Sequence, residues 1–459
     1  MAGNSFFDVL VIGGGQAGIP LAHALAQKGK RVALAERENL GGSCVNFGCT
    51  PTKAAIASAK LAQMARRARD FGLRIPTVEV DFAAVIERAR DVALASRRRL
   101  EEGFAGSDNP KLLRGQARLA GRAENAFRVA VGAETIIAGQ VVLNTGTRSV
   151  IPEIEGLREI AFLDAGNWLK RTELPRHLAM IGGGAIGLEM AQFYRRMGSQ
   201  VTVIEAGDQL AGHEDRDVAD ALQSLLAAEG IAFRLGTSVK RIERREDGIT
   251  LRLGENGSAA LDVSHVFVAA GRRPNTGDLG LETVGVAMSE HGIVEADERL
   301  ATSVPGIWVA GDIRGGPQFT HTAWDDYRVL LSQIAGDGKR TTKRIVPYAI
   351  FTDPELGRVG LTESQARREG HAVKIGRFAM THNGKATEIG ESEGFIKVVV
   401  DARSHALLGA SVLAAEGAEL VHCYIDAMNA GASYDVIADA IHIHPTLAEA
   451  VQSAVTAIA

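Results

Sequence analysis

Two stretches of the chain repeat one pattern of apolar and polar positions. An apolar run from Asp8 to Ile12 gives way to Gly13-Gly14-Gly15-Gln16-Ala17-Gly18 and then to a helical periodicity from Ile19 to Lys28; a second apolar run, Arg31 to Ala35, ends at Glu36. The order returns as Leu178 to Ile181, then Gly182-Gly183-Gly184-Ala185-Ile186-Gly187, a helical pattern to Met197, and a run from Gln200 to Ile204 ending at Glu205. Unbroken short apolar runs are the mark of parallel strands covered on both faces. Each stretch therefore predicts a strand, a glycine turn, a helix and a second strand, a βαβ unit. Glu36 and Glu205 stand equally far beyond the first glycine of their turns, which makes the second unit an internal duplicate of the first.

Between the units, Thr52 to Arg69 and Phe82 to Glu102 predict Ala- and Arg-rich helices, on which Arg66-Arg67 and Arg97-Arg98-Arg99 read as solvated faces without chemistry. Segments 111–119, 126–143 and 231–270 predict strands and hairpins. Prolines at 152, 274 and 347 mark transitions. Beyond 347 the pattern turns to strands at 393–401 and 406–414 and helices at 416–431 and 433–440, a separate α+β domain.

Composition adds exclusions. The chain has 459 residues, 46% hydrophobic and 23% charged, with a formal net charge of -4, so no bulk attraction to nucleic acid or an anionic membrane is expected. The opening MAGNSFFDVLVIGGG lacks a basic n-region and no run is long enough to span a bilayer, so a cytoplasmic protein is expected. The 52 glycines are in excess of the usual share of about 7%. The three cysteines cannot make a disulfide framework: Cys44 and Cys49 form a close pair suited to catalysis in a reducing compartment, and Cys423, in an apolar helical stretch, reads as a small core residue. No second Cys or His pair lies near Cys44 and Cys49, so no metal site is expected.

Chemistry enters with the turns. In a G-x-G-x-x-G turn the glycines Gly13, Gly15 and Gly18 allow a tight bend, close approach of backbone to a pyrophosphate, and helix-to-strand packing; the helix N-terminus favours the negative charge, and Glu36 is placed for ribose hydroxyls. Gly182, Gly184, Gly187 and Glu205 repeat this. Two dinucleotides on one chain suggest redox transfer, such as between a flavin and a nicotinamide. The segment Gly41-Gly42-Ser43-Cys44-Val45-Asn46-Phe47-Gly48-Cys49-Thr50-Pro51-Thr52-Lys53 puts a cysteine pair before a helix, whose N-terminal dipole lowers a thiol pKa.

With these residues in place the chain resembles the pyridine nucleotide-disulfide oxidoreductases, the flavoprotein family of lipoamide dehydrogenase, glutathione reductase and mercuric reductase. The resemblance covers nearly the whole chain and extends to Asn144-Thr145-Gly146-Thr147, Gly271-Arg272-Arg273-Pro274-Asn275, Val309-Ala310-Gly311-Asp312, Phe351-Thr352-Asp353-Pro354-Glu355 and His442-Ile443-His444-Pro445-Thr446-Leu447-Ala448-Glu449. It implies an α/β fold with two Rossmann-like domains and an α+β dimerisation domain: an FAD-binding domain over 1–150, an NAD(P)-binding domain over 151–275, a return to the FAD or central domain over 276–346, and a dimerisation domain over 347–459. It implies FAD on Gly13, Gly15, Gly18, Glu36, Gly42, Ser43, Lys53, Ala117, Thr145, Gly146, Asp312 and Thr320. The nicotinamide nucleotide falls to Gly182, Gly184, Gly187, Glu189, Glu205, Val239 and Gly271, with Lys53 and Glu189 paired beside the flavin.

The resemblance also implies a route: hydride from nicotinamide to FAD, electrons into a Cys44–Cys49 disulfide with Cys49 facing the flavin, and exchange from Cys44 to an external acceptor. His444 and Glu449, from the other subunit of a homodimer, form the acid/base couple; a carboxylate on one ring nitrogen raises imidazole basicity. The acceptor is expected to be a small disulfide or thiol-reactive oxidant. The cysteine segment and Phe319-Thr320-His321-Thr322 resemble mercuric-reductase-like members more than typical lipoamide dehydrogenases, yet the chain ends Gln452-Ser453-Ala454-Val455-Thr456-Ala457-Ile458-Ala459 without the vicinal cysteines that deliver the metal. A mercuric ion reductase and a lipoamide dehydrogenase component of a larger complex are the alternatives. Glu205, with no Arg among Ala206, Gly207 and Asp208, favours NADH over NADPH.

Overall fold

The computed structural model describes residues 5–458; Met1–Asn4, which open the segment read for a leader, and Ala459 lie outside the described residues. In the first unit β1 (Ser5–Ile12) runs parallel to β2 (Val32–Glu36), with α1 (Gly18–Gln27) crossing between them. The chain continues through α2 (Gly42–Asn46), α3 (Cys49–Arg66) and α4 (Phe82–Glu102) to β3 (Lys111–Arg114), which extends the sheet beyond β2. It then folds as an antiparallel meander, β4 (Ala117–Ala123), β5 (Ala126–Val131) and β6 (Glu134–Leu143), whose last strand returns parallel to β1. Strand Ile307–Val309 later adds to β6, so the chain comes back to its first sheet. Val9, Leu10 and Val11 are fully buried, as strands covered on both faces require.

The second unit is a parallel five-stranded sheet in the order Ala232–Arg234, Gln200–Ile204, His177–Ile181, His265–Val268, Leu163–Asp164, with α5 (Ala185–Met197) crossing it. A three-stranded antiparallel ribbon spanning 239–263 is inserted before its fourth strand. Two short antiparallel strands, Thr147–Ser149 and Arg272–Pro274, carry the chain out of the first unit and back. The C-terminal sheet is antiparallel, in the order Tyr348–Ile350, Glu355–Gly360, Leu407–Ala414, Phe395–Asp401, Val373–Ala379. Among the described residues no helix is long and apolar enough to cross a membrane.

Several expectations are corrected. The helix after the cysteines starts at Cys49 rather than Thr52, since Pro51 is tolerated in a first turn, where its missing N–H has no partner to lose. The stretch 416–431 breaks into Gly417–Leu420 and His422–Asn429, and 433–440 shrinks to Asp435–Ala438. Cys423 is exposed, not core: the buried stripe of its helix runs through Val421 and Tyr424, and Cys423 lies off it. Arg66 and Arg67 do not form a free face; they donate to the carbonyls of Arg196 at 2.7 Å and Gly390 at 2.5 Å.

Buried charges weld the second unit to the C-terminal sheet. Lys397 sits among Asp215 at 3.2 Å, Asp217 at 3.0 Å and Glu363 at 2.9 Å. Arg358, fully buried, lies 3.4 Å from the Glu214 carboxylate, which also accepts from the Tyr348 hydroxyl. A buried charge stripped of its partner costs roughly 3–5 kcal/mol. Arg358→Met is therefore expected to lower stability by about that much, and Glu214→Gln in the same chain to recover a large part of it; comparing thermal unfolding of the single and double variants checks this.

Candidate active site

Both glycine turns are built alike. Gly13 N donates to Ala35 O at 2.8 Å, and Gly182 N to Ile204 O at 2.9 Å. Gly14 N and Glu38 N donate to the two carboxylate oxygens of Glu36, each at 2.7 Å; Gly183 N and Gly207 N do the same for Glu205, also at 2.7 Å. The middle glycines Gly14 and Gly183, not singled out from the sequence, thus orient the acidic residues. Gly13 (φ 107°) and Gly182 (φ 112°) occupy the left-handed region, and a Cβ there would stand 2.3 Å from Asn144 O and 2.4 Å from Ala269 O. A Cβ on Gly18 or Gly187 would stand 2.1 Å from the carbonyl of Gly13 or Gly182. Around Gly184 nothing lies within 4 Å of such a Cβ, so backbone is bare to a ligand.

The two cradles open on one cavity of about 1440 Å³, above the ~300–1,000 Å³ of a typical small-molecule site. Gly13, Gly15, Glu36, Gly42, Ser43, Ala117, Thr145, Gly146, Asp312 and Thr320 line it, as do Gly184, Glu189 and Gly271. Gly18, Gly182 and Gly187 shape the turns behind its wall. Val239, which opens the inserted ribbon, packs its side chain in the second unit's apolar core with Ile181 and Ile204, and neither it nor Glu205 is among the residues that line the cavity. The cradles, the fixed carboxylates and the cavity fit a pair of dinucleotides. Asp312 accepts from Thr147 Oγ1 at 2.8 Å, and Arg272 Nε, which donates to that hydroxyl at 2.7 Å, lies 3.8 Å from the carboxylate.

Cys44 lies in the short α2 and Cys49 opens α3; both are free thiols and both face the cavity. Trp168 Nε1 holds the loop between them by donating to Phe47 O at 2.9 Å. Cys49 Sγ is 3.3 Å from Thr320 Oγ1, the first residue of helix Thr320–Ala335. The Cys44 thiol donating to Cys49, helped by Thr320 and the Lys53 ammonium and opposed by burial, brings the Cys49 thiol down to about 6. That same contact, with burial, pushes Cys44 far up. The two shifts run in opposite directions, down at Cys49 and up at Cys44, which favours the thiolate at the head of α3. Lys53, one helical turn beyond Cys49, donates to Glu189 Oε2 at 2.7 Å and lies 4.3 Å over the Phe351 ring.

His444 Nδ1 stands 2.9 Å from Glu449 Oε1. Thr446 N–H and the imidazole together hold the Glu449 carboxyl below its ordinary value. The couple does not line the cavity of its own chain. His444 is 78% exposed, flanked by Ile441 and Ile443 at 100% and 79%.

Two features escaped the sequence reading. Arg90 and Arg97 of α4 line the cavity with Ala93 and Leu94, so Arg97 does not stand on the solvated face that its charge run suggests. The spacing of these four places them on one helix stripe, a signal present in the sequence. Phe319, His321 and Tyr348 stack with interplanar angles of 9° at the cavity wall, a contact between distant segments.

The fold and site define a two-dinucleotide oxidoreductase. The family model for pyridine nucleotide-disulphide oxidoreductase matches residues 7–326, and that for the dimerisation domain of the same enzymes matches 346–455. The chain belongs to this family, whose members depend on FAD and NAD(P)H. It is 34% identical to the dihydrolipoyl dehydrogenase of Cupriavidus necator, over 98% of both chains. It is also 34% identical to the probable pyridine nucleotide-disulfide oxidoreductase RclA of Escherichia coli, over 96% of this chain and 97% of that one. The solved structure of RclA, described as an HOCl-induced flavoprotein disulfide reductase from Escherichia coli, superposes with a TM-score of 0.89 at 33% identity, covering 98% of this chain and 99% of that one.

With Cys49 brought down to about 6, its alkylation by iodoacetamide in the dithiol form is expected to rise with pH around that value, well below an ordinary thiol. Thr320→Val removes one donor to the thiolate and is expected to move the midpoint up by roughly one unit. Peptide mass spectrometry across a pH series reads both.

Proposed function

We propose that this chain is an NADH-dependent FAD flavoprotein disulfide reductase that works as a homodimer and passes electrons through Cys44 and Cys49 to a small disulfide or thiol-reactive oxidant. The observation that carries the reading is Cys49 at the head of α3, lowered to a thiolate by Cys44, Thr320 and Lys53 on the wall of a cavity shared by two dinucleotide cradles. FAD on the first cradle and the nicotinamide nucleotide on the second would supply hydride chemistry and an electron pair to the two sulfurs.

The chain's own residues do the rest. Gly13, Gly15, Glu36, Thr145, Gly146 and Asp312 bind and orient on the FAD side; Gly184, Glu205 and Gly271 do so for the nicotinamide nucleotide. Glu205, with both oxygens fixed by backbone N–H groups, suits a ribose 2′-hydroxyl and repels a 2′-phosphate. Cys44 gives its proton to the partner subunit's His444 and attacks one sulfur of the acceptor disulfide, breaking its S–S bond. The imidazolium, steadied by Glu449, protonates the departing sulfur. Cys49 then attacks Cys44 Sγ, re-forming the internal disulfide and releasing the second sulfur as a thiolate.

A lipoamide-type reading draws on the relatives named dihydrolipoyl dehydrogenase, to which the identity reaches 36%. One panel tests the readings together: anaerobic NADH titration of the purified flavoprotein, followed by turnover with lipoamide, glutathione disulfide, Hg(II) and Cu(II), the last because a solved structure of RclA is titled a Cu(II) complex. A thiolate-to-flavin charge-transfer band should appear on NADH addition, and disulfides should be turned over best. Cys44→Ala, Cys49→Ala and His444→Ala are each expected to lose disulfide reduction while retaining FAD. Full turnover by Cys44→Ala would refute its exchange role. The ratio of kcat/KM for NADH and NADPH should favour NADH.

A further inference from the structure

One face of α5 carries three buried polar side chains, Glu189, Gln192 and Arg196, with relative exposures of 7%, 4% and 6%. All three grip one segment, Phe351–Asp353. Phe351 N donates to Glu189 Oε1 at 3.0 Å. Gln192 takes both backbone groups of Asp353, accepting from its N–H at 2.8 Å and donating to its carbonyl at 2.8 Å. Arg196 donates to Asp353 Oδ2 at 2.7 Å and forks onto both oxygens of Glu229 at 2.7 and 2.8 Å. Gln192 also donates to Glu229 at 2.8 Å. From α3, Lys60 approaches the other Asp353 oxygen at 3.6 Å, two turns beyond Lys53 on the same helix face.

The segment is therefore wedged between α3 and α5, and its front residue is the ring beneath the Lys53 ammonium. We propose that Gln192 and Arg196, acting through Asp353, are positioning residues that hold Phe351 and Glu189 in place and so fix the Lys53 ammonium beside Cys49. Neither lines the cavity, and nothing in the disulfide-reduction mechanism calls on them. The proposal rests on the reading of Cys49 as the thiolate beside Lys53.

The groups facing Cys49 are Cys44 from α2, Lys53 from α3, Glu189 from α5 and the Thr320 hydroxyl; Lys53 lowers the thiol and Glu189 raises it. The charges around the clamp are Lys60, Glu229, Glu355, Glu391, Glu416, Arg66 and Arg195. Releasing the clamp leaves all of them present but loosens Lys53 and Glu189. Moving a charge outward by one or two ångströms in a partly buried site shifts a nearby titration by roughly half a pH unit.

The test is the pH dependence of Cys49 alkylation by iodoacetamide in the dithiothreitol-reduced holoenzyme, read by peptide mass spectrometry. Gln192→Met removes the backbone pairing; Asp353→Asn keeps that pairing and the side chain's shape but removes the charge that Arg196 and Lys60 meet. Both should raise the midpoint by roughly half a unit, and Lys53→Met should raise it at least as far. In a Lys53→Met background, Gln192→Met should no longer raise the midpoint, since the rise acts through the ammonium and what remains, a loosened Glu189, can only lower it. Wild-type midpoints in Gln192→Met and Asp353→Asn, or shifts undiminished in the Lys53→Met background, overturn the clamp while leaving the thiolate assignment standing. An unmoved midpoint in Lys53→Met likewise overturns the clamp, whereas a wild-type midpoint at an ordinary thiol value removes the thiolate reading and the clamp with it.

Discussion

The ion pair between Lys53 and Glu189 joins the two halves of the redox site. Lys53 belongs to the helix that begins with Cys49, Glu189 to the helix that begins at the second glycine turn, and 136 residues separate them. A largely buried ion pair repays its desolvation only when its remaining hydrogen-bond capacity is met. Here the second oxygen of Glu189 accepts from Phe351 N, and the ammonium also lies over the Phe351 ring. One contact thus ties the cysteine helix, the nucleotide helix and the approach to the C-terminal sheet into a common geometry.

Around that tie the molecule uses one device twice. A carboxylate at the end of a strand is pinned by the N–H of the middle glycine of the preceding turn, and a close helix-to-strand approach leaves no room for a side chain at the first and last glycines. This repetition places eight of the 52 glycines. Division of labour between the cysteines follows from placement: Cys49 gains the helix start, Thr320 and Lys53, and accepts a hydrogen bond from Cys44. The His444–Glu449 couple sits apart from these sulfurs within its own chain, just after the exposed Ile441 and Ile443, as a group presented to another subunit would be.

Much of this was legible in the residues. The βαβ duplication, the cysteine segment and the pairing of Lys53 with Glu189 were read from spacing and resemblance, and the structure brings those residues together. Less legible were features that depend on packing direction. Cys423 lies in an apolar stretch but off the buried stripe of its helix. Arg97 was read as solvated because a charge run is usually exposed, although its helix turns it to the cavity. Val239 points into a core because the ribbon that it opens folds back on the second sheet.

What the residue pattern determined by itself is therefore local: periodicity, turn chemistry and residues within one short segment, where covalent spacing alone sets the geometry; the pairing of Lys53 with Glu189 came from resemblance and not from spacing. Only the tertiary structure decided what distant segments do to one another. Thr320 meets Cys49 across 271 residues, and Gln192 meets Asp353 across 161. Hydrogen bonds and Coulomb interactions act over a few ångströms, and the distances that govern a thiol's charge exist only after the chain has folded.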